Sequence, residues 1–316
     1  MYRRMLVPLD GSKLAEEVFP YARELAGRLE LDLFFLNVCS PEETQLLPMR
    51  QFYVDKMAET VCSRTCEIRG ITKKPVGTKT IGTTGKVVVG YPAEEILKYA
   101  EENGIDIILM STHGYSGIKR WALGSVAYKV LHASKIPFWL VRSGISEEVV
   151  YDKWPHRTIL VPLDGSKLAE SALPHAEALA KQRGTQAIEI LLLRVYQPDP
   201  IPEVGYYIVE TNYPEALRLK YEDYVRQETD RTKDICHNYL ENMAEVLKST
   251  GVKVRTEVLI GNASEEIIKY ANKNPFQLIV MASHGRAGIN HMVFGSIAEK
   301  ILLQTNTPIF IVIPQG

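Results

Sequence analysis

The sequence predicts an α/β protein with two similar halves, each a parallel sheet covered by helices on both faces. Short apolar runs alternate along the chain with longer amphipathic segments, as strands alternate with helices in such folds. The apolar runs are continuous, which is typical of strands buried on both faces of a parallel sheet. The whole pattern then occurs a second time.

The repeat is visible in the letters of the sequence. The segment Met5–Glu16 returns as Ile159–Glu170, an offset of 154 residues. Later in each half, Met110–Gly114 returns as Met281–Gly285, an offset of 171 residues. Two domain-sized copies indicate a duplication and not a solenoid.

The difference between the two offsets, 17 residues, requires an insertion in the second half, which we place near 196–231. We predict two domains, at residues 1–143 and 156–316, joined by a linker without strong periodicity. The insertion is rich in tyrosine and proline, and we treat it as a long loop. It either forms a lid or partner surface or covers a sheet edge with its own small core.

The first half contains five apolar runs and four helical segments. The predicted strands are Arg4–Leu9, Leu31–Val38, Lys86–Val89, Ile105–Met110 and Phe138–Arg142. The predicted helices are Ser12–Leu29, Met49–Arg69, Pro92–Asn103 and Gly124–His132. Ser12 or Asp10 is the expected N-cap of the first helix. Pro20 predicts a kink or a break in that helix, because proline removes a ladder hydrogen bond.

The second half follows the same pattern. Its predicted strands are Thr158–Leu163, Ala187–Val195, Val252–Ile260, Leu278–Met281 and Ile309–Ile313. In doubly wound sheets, ligands bind outside the carboxyl ends of the strands, where the strand order reverses. This rule points to Asp10, to Val38, to Met110–Gly114 and to their counterparts in the second half.

Composition excludes several classes of protein. The chain has 316 residues, of which 46% are hydrophobic and 24% charged, and 37 basic residues balance 38 acidic ones. A net charge of −1 offers no global field for nucleic acid or an anionic membrane. No apolar run reaches the ~18 residues of a membrane-spanning helix, and no secretory signal is recognisable. We therefore expect a cytoplasmic protein.

The strongest motif follows the fourth strand of each half. It reads Ser111-Thr-His-Gly114, nine residues, then Gly124-Ser125, and it returns from Ala282 to Ser296. Small residues let the backbone approach a ligand, and the Gly-Ser pair opens a helix whose unpaired amides favour an anion such as phosphate. For one copy alone, a plain strand-to-helix turn with a serine N-cap is an equally good interpretation.

Asp10 and its copy Asp164 could accept a hydrogen bond from a ribose hydroxyl, help to hold a metal, or cap the following helix. His113 and His284 each precede a glycine of the motif. Either could donate to phosphate or act as a base, but we favour a hydrogen bond that orients the loop, because no partner acid is evident.

Two further patterns carry no chemistry in our interpretation. Gly82–Lys86 is similar to the end of a phosphate-binding P-loop but lacks its other residues, so we expect a turn before a strand. Cys62 and Cys66 share one helix face, where packing is favoured over a metal or redox site.

Four motifs in combination resemble the universal stress protein family. They are Pro-x-Asp-x-Ser after the first strand, Gly90–Ile96, the Ser/Ala-x-His-Gly-x9-Gly-Ser loop, and the final strand Pro137–Val141. The resemblance covers both halves and implies a tandem protein with two five-stranded parallel sheets of the adenine-nucleotide-binding kind, in strand order 3-2-1-4-5. It also implies that the two final strands of the chain meet, as in the family dimer, and that two chains can pair further.

The resemblance carries ligand-binding roles onto matching residues of both halves. In the first half these are Pro8, Leu9, Asp10, Val38, Met110, Ser111, Gly114, Gly124, Ser125 and Val126. In the second half they are Pro162, Leu163, Asp164, Val195, Met281, Ala282, Gly285, Gly295, Ser296 and Ile297. His113 and His284 complete the candidate sites because of their place in the loop. By resemblance, the aspartates hold ribose or a metal-linked phosphate, the residues before them flank adenine, and the Gly-Ser pairs contact phosphate. Ser111 and Ala282 stand where ATP-binding members have glycine.

The resemblance implies a stress-response protein that binds adenine nucleotide, ATP or AMP/ADP with or without Mg²⁺, in one or both halves and acts as a sensor or switch. Two alternatives stay open. One is a slow ATPase or a phosphoryl or nucleotidyl transferase, which needs a positioned base and usually a metal. The other is an interaction protein that has lost nucleotide binding.

Overall fold

The computed structural model describes residues 2–71, 81–112, 123–142, 158–181, 188–197, 215–274, 276–283 and 295–314. Its strands are β1 (Arg4–Pro8), β2 (Asp32–Cys39), β3 (Thr83–Val89), β4 (Ile107–Ser111), β5 (Phe138–Val141), β6 (Thr158–Pro162), β7 (Glu189–Tyr196), β8 (Lys253–Ile260), β9 (Leu278–Ala282) and β10 (Ile309–Val312). Its α-helices are α1 (Lys13–Glu16), α2 (Phe19–Leu29), α3 (Leu47–Ile71), α4 (Pro92–Glu102), α5 (Ser125–Ala133), α6 (Lys167–Glu170), α7 (Ala172–Lys181), α8 (Glu215–Ser249), α9 (Ala263–Lys273) and α10 (Ser296–Gln304). A 3₁₀ turn, Pro41–Leu46, precedes α3.

The described strands form one sheet in the order β3-β2-β1-β4-β5-β10-β9-β6-β7-β8. Within each half all neighbouring strands are parallel, and the predicted order 3-2-1-4-5 is confirmed in both. The halves join through an antiparallel pair of β5 and β10, in which Trp139 lies opposite Phe310. The expected contact between the two final strands is therefore observed within one chain.

Helices cover both faces of this sheet, as predicted. On one face, α2 and α3 bury Leu25 and Val54 in a core that continues into the second half. On the other face, α4 and α5 bury Ile96 and Val130, together with the corresponding helices of the second half. The sheet is thus the middle layer of three, and its strands are apolar on both sides.

The predicted break at Pro20 is confirmed. The first helical segment is divided into α1 and α2, and Pro20 lies in the first turn of α2, where its missing N–H costs no ladder hydrogen bond. The second half is divided in the same way into α6 and α7. Ser12 is the N-cap of α1, since its side chain accepts from the Ala15 N–H at 3.1 Å.

The prediction of a turn over Gly82–Lys86 is wrong. Strand β3 begins at Thr83 and pairs with β2 along its whole length. A Cβ atom on Gly85 would lie 2.9 Å from the backbone carbonyl carbon of Val54 in α3. Glycine is there because the strand and the helix approach closely, which sequence reading mistakes for a turn.

The long helices of the two halves differ in length, with 25 residues in α3 and 35 in α8. The prediction of a loop over residues 196–231 is wrong for the C-terminal part of that segment, because residues 215–231 are helical. The part at 198–214 lies outside the described residues. The extra turns of α8 are mostly exposed, and none of the described helices combines the length and apolar character needed to cross a bilayer.

The cysteine pair predicted on α3 is seen only in part. Cys62 is half-buried, as a packing residue at the helix surface would be. The side chain of Cys66 lies outside the described residues. Cys39 and Cys236 are buried and free.

Candidate functional site

Each half has a cavity at the carboxyl ends of its strands, where the strand order reverses between β1 and β4 or between β6 and β9. The cavity volume is about 260 Å³ in the first half and about 550 Å³ in the second. The first cavity is lined by Pro8, Leu9, Asp10, Ala15, Leu36, Val38, Pro92, Ile96, Met110, Ser111, Thr112, Gly124, Ser125, Val126 and Ala127.

The second cavity is lined by equivalent residues and several more. They are Pro162, Leu163, Asp164, Ala169, Arg194, Val195, Tyr196, Gln197, Thr232, Ile235, Cys236, Ala263, Ile267, Met281, Ala282, Ser283, Gly295, Ser296, Ile297 and Ala298. Every predicted site residue in the described ranges lines one of the two cavities. The other four predicted site residues lie outside the described residues; they are His113, Gly114, His284 and Gly285.

The loop after β1 brings a carboxylate to the mouth of the first cavity. The Asp10 Oδ1 atom accepts a hydrogen bond from the Ser12 N–H at 2.9 Å, so Asp10 shapes the turn while Ser12 caps the helix. Gly11 between them has φ +85°, a conformation that side chains disfavour. Asp164 repeats the hydrogen bond at 2.8 Å.

The residues before this aspartate are held by the neighbouring strand. The Leu9 N–H donates to the Leu36 carbonyl at 2.8 Å. The Leu9 carbonyl accepts from the buried Asn37 side-chain amide at 2.8 Å. Sequence reasoning missed Asn37, although an amide inside the apolar run of β2 could have drawn attention to it, because buried polar groups require partners.

The loop after β4 is closed at its two ends. The Thr112 N–H donates to the Val141 carbonyl, and the Gly124 N–H donates to the Thr112 carbonyl, both at 2.8 Å. These bonds bring the start of α5 next to the end of β4. Ser283 and Gly295 repeat the arrangement at 2.8 and 2.9 Å.

The start of α5 is suited to an anion. Gly124 is its N-cap, and among the described residues no side chain accepts a hydrogen bond from the first turn. The serine N-cap of the plain-turn interpretation is not observed, since Ser125 is already the first helical residue. The unpaired amides and the helix dipole leave partial positive charge at the cavity wall. Gly295 and Ser296 form the same arrangement in α10.

In each half, a hydrogen-bonded tyrosine–glutamate pair joins the long helix to the short helix that follows the aspartate. Tyr53 on α3 donates to Glu16 at 2.8 Å, and Tyr239 on α8 donates to Glu170 at 3.1 Å. Burial is the main cause that raises the pKa of both tyrosines, and the neighbouring glutamates add to it. Both tyrosines therefore stay neutral donors that anchor the long helix to the short helix after the aspartate.

Acidic groups are sparse at both cavities. Asp10 is the one carboxylate among the described lining residues of the first cavity, and Asp164 is its counterpart in the second. Within the described ranges, no cluster of three His, Cys, Asp or Glu residues is placed to hold a metal ion. A metal at this site would need ligands from a bound molecule in addition to the aspartate.

The model of the universal stress protein family matches residues 1–142 and 155–312. The chain belongs to the universal stress protein family. Its two matched segments make it a tandem universal stress protein. Universal stress protein MJ0577 of Methanocaldococcus jannaschii is 27% identical over 157 residues, which are 50% of this chain and 94% of the relative. YxiE of Bacillus subtilis is 29% identical over 148 residues, which are 45% of this chain and 100% of the relative.

Solved structures match the tandem fold over nearly the whole chain. A universal stress protein from Archaeoglobus fulgidus DSM 4304 has a TM-score of 0.60 at 23% identity and covers 98% of each chain. Protein PA1789 of Pseudomonas aeruginosa PAO1 has a TM-score of 0.62 at 14% identity and covers 99% of this chain and 93% of its own. At these identities the likeness concerns the fold.

Proposed function

We propose that this tandem universal stress protein binds an adenine nucleotide in the cavity of each half and acts as a nucleotide-dependent sensor in the stress response. One observation carries the proposal. In both halves, the residues that match the family motifs surround a single cavity at the strand ends, and an uncapped helix N-terminus faces that cavity.

Each part of the cavity suits one part of a nucleotide. The apolar wall of Leu9, Val38 and Met110 would receive the adenine. Asp10 would accept hydrogen bonds from ribose hydroxyls or bind a metal held by the phosphates. The amides at the start of α5 and the Ser125 hydroxyl would donate to phosphate oxygens.

Mg²⁺ fits this arrangement only together with the nucleotide. The ion usually keeps several waters and takes one or two carboxylates plus phosphate oxygens. Asp10 and Asp164 would supply one carboxylate each. When bound, the ion neutralises phosphate charge, which lets a triphosphate lie against the protein.

The same scarcity of acidic groups favours a sensor over an enzyme. Hydrolysis requires a group that orients the attacking water. The one carboxylate described at each cavity, Asp10 or Asp164, already accepts a hydrogen bond from the amide of the serine two residues later. Binding that changes the conformation or the partners of the protein requires no such group.

The proposal is tested by calorimetric titration of the nucleotide-stripped full chain with ATP and Mg²⁺. We expect saturable binding at one or two sites per chain. Substituting both Ser125→Asp and Ser296→Asp places a negative charge where the phosphates would bind, and should lower ATP affinity at least tenfold. Because an acidic residue in the first turn stabilises a helix by ~0.5 kcal/mol, the melting temperature should not fall.

The matched control is the pair Ser125→Ala and Ser296→Ala, which removes the hydroxyls without adding charge. It should weaken ATP binding less than the aspartates do. Absence of binding to the unmodified protein, or equal affinities for the protein and the aspartate variant, would contradict the proposal.

A further inference from the structure

The second cavity is about twice as large as the first, and the additional space has its own lining. It is lined by Arg194, Tyr196, Gln197, Thr232, Ile235 and Cys236, from the end of β7 and from α8. We call this space the annex. In the first half, no residue of the equivalent helix α3 is among the described lining residues.

One difference between the halves at the annex is an exchange of side chains on the long helix. The hydrogen bonds of Tyr53 to Glu16 and of Tyr239 to Glu170 align α3 with α8. Counting three residues back from each tyrosine, Cys236 occupies the position of Arg50. A long cationic side chain in the first half is thus replaced by a small thiol in the second.

In the first half, Arg50 fills the space between β2 and α3. Its guanidinium donates to the side-chain oxygen Oδ1 of Asn37 at 3.1 Å and to the Glu43 carboxylate at 2.5 Å. Asn37 in turn holds the Leu9 carbonyl at 2.8 Å. This network joins β2, the 3₁₀ turn and α3 in the first half.

In the second half, the cation lies on the strand. The strand registers place Arg194 at the position of Asn37. Its guanidinium lies 4.8 Å from the centre of the Tyr239 ring, a cation–π contact that orients it. Among the described residues, no carboxylate forms an ion pair with Arg194, and the residue is part of the annex lining.

The chemistry of the annex suits a planar heterocycle. The guanidinium of Arg194 and the ring of Tyr196 offer flat surfaces on which a base can stack. The Gln197 amide and the Thr232 hydroxyl can exchange hydrogen bonds with a base edge. Ile235 adds an apolar contact.

We propose that the second half binds a dinucleotide, with one base in the part of the cavity common to both halves and the other base in the annex. The inference rests on the proposed nucleotide binding and adds the class of nucleotide for this half. The second cavity, at about 550 Å³ against about 260 Å³, has room beyond the part that both halves share. The annex also lies two strands from β9, which precedes the uncapped helix, a separation of about 10 Å.

The test is calorimetric titration of the full chain with AMP, NAD⁺ and diadenosine diphosphate. The last two are AMP extended by a second nucleotide, so the annex should contribute only to them. We expect at least one of them to bind at one site per chain at least tenfold more tightly than AMP. ATP is titrated alongside as the measure of nucleotide binding itself.

Cys236→Arg gives the second half the side chain that the first half has at this position, and should lower dinucleotide affinity at least tenfold and AMP affinity less than threefold. Val246→Arg makes the same change at an exposed position of the same helix and should alter neither. If Cys236→Arg does not fold, Arg194→Ala tests the same point at a half-buried position, with the same selective loss expected.

The outcomes separate the two proposals. If ATP and AMP bind but neither dinucleotide binds more tightly than AMP, the dinucleotide inference is overturned and the proposed function stands. An equal loss of AMP and dinucleotide affinity in the Arg194→Ala protein would also overturn it. If no nucleotide binds, the proposed function itself fails.

Discussion

The two halves of this protein have the same strand order and the same turn after their first strand, yet their cavities differ about twofold in volume. The turn depends on residues that both copies retain, such as Ser12 and Ser166, which cap their helices at the same 3.1 Å distance. The lining of the larger cavity includes residues in which the copies differ, such as Cys236, which stands where the first half has Arg50. A duplicated backbone therefore decides where a cavity lies, and individual side chains decide what it can hold.

The halves also differ at the seam where they join. Trp139 of β5 lies opposite Phe310 of β10, and both side chains are fully buried. Their ring centres are 5.7 Å apart. Among the described residues, the indole N–H of Trp139 has no hydrogen-bond partner. The seam thus buries a large apolar contact together with one N–H group that loses its hydrogen bond to water on folding.

The largest expected effect is on this seam. Trp139→Ala should lower the free energy of unfolding by about 4 kcal/mol, because it removes a large buried side chain and leaves a cavity. The measurement is the midpoint of urea unfolding followed by far-ultraviolet circular dichroism, a backbone signal that does not rely on the tryptophan. A loss below about 1 kcal/mol would show that the seam contributes little to stability.

Trp139→Phe makes the two sides of the seam alike, because Phe310 is the residue opposite Trp139. It removes the unpartnered N–H together with part of the ring, so we expect less than half the loss of Trp139→Ala. Equal losses for the two variants would mean that the indole is specifically required.

An intermediate effect is expected where the first half has a buried ion pair. Arg28 donates to Glu24 at 3.1 Å within α2, and both side chains are less than 10% exposed. In the second half, Ala178 stands in place of Glu24. Glu24→Ala should cost about 3 kcal/mol, because it removes a carboxylate from a buried guanidinium.

The control for this prediction is the exposed pair of Lys181 and Glu177 in α7, at 2.5 Å. Glu177→Ala should cost only about 0.5 kcal/mol, because water screens and competes for this pair. Chemical denaturation of both variants in the same buffer checks the difference. Similar costs would refute the view that burial distinguishes the two pairs.

The smallest expected effect concerns pH. His175 contacts Tyr2 across the halves, and burial lowers the pKa of His175 below its usual 6.5. The unfolded chain then binds the proton more readily, so stability is full above pH 6.5 and is lost as the pH falls below it. The equivalent residue of the first half is Tyr21, so this imidazole has no counterpart there.

His175→Gln keeps a hydrogen-bonding side chain but cannot be protonated. The melting temperature of the unmodified protein should fall more between about pH 7.5 and pH 5.5 than that of the variant, since only the former must keep the histidine neutral. Parallel curves for the two proteins would exclude His175 as a source of pH dependence.

Much of the fold could be predicted because each element depends on nearby residues. The apolar runs of β1 and β6 and the break at Pro20 follow from local rules. Gly85 was misread as a turn residue, because its role depends on α3, which is distant in sequence. The start of α8 was also missed, since tyrosine and proline nearby suggested a loop.

The duplication, the doubly wound class and the residues of the family motifs can be read from the amino-acid order, because repeats and apolar periodicity are properties of the chain. How those residues come together, and how the two cavities differ, depends on the folded structure. The contacts of Asn37 with Leu9 and of Arg194 with Tyr239 join separate elements. Their effect depends on packing between a strand and a helix, which no local pattern records.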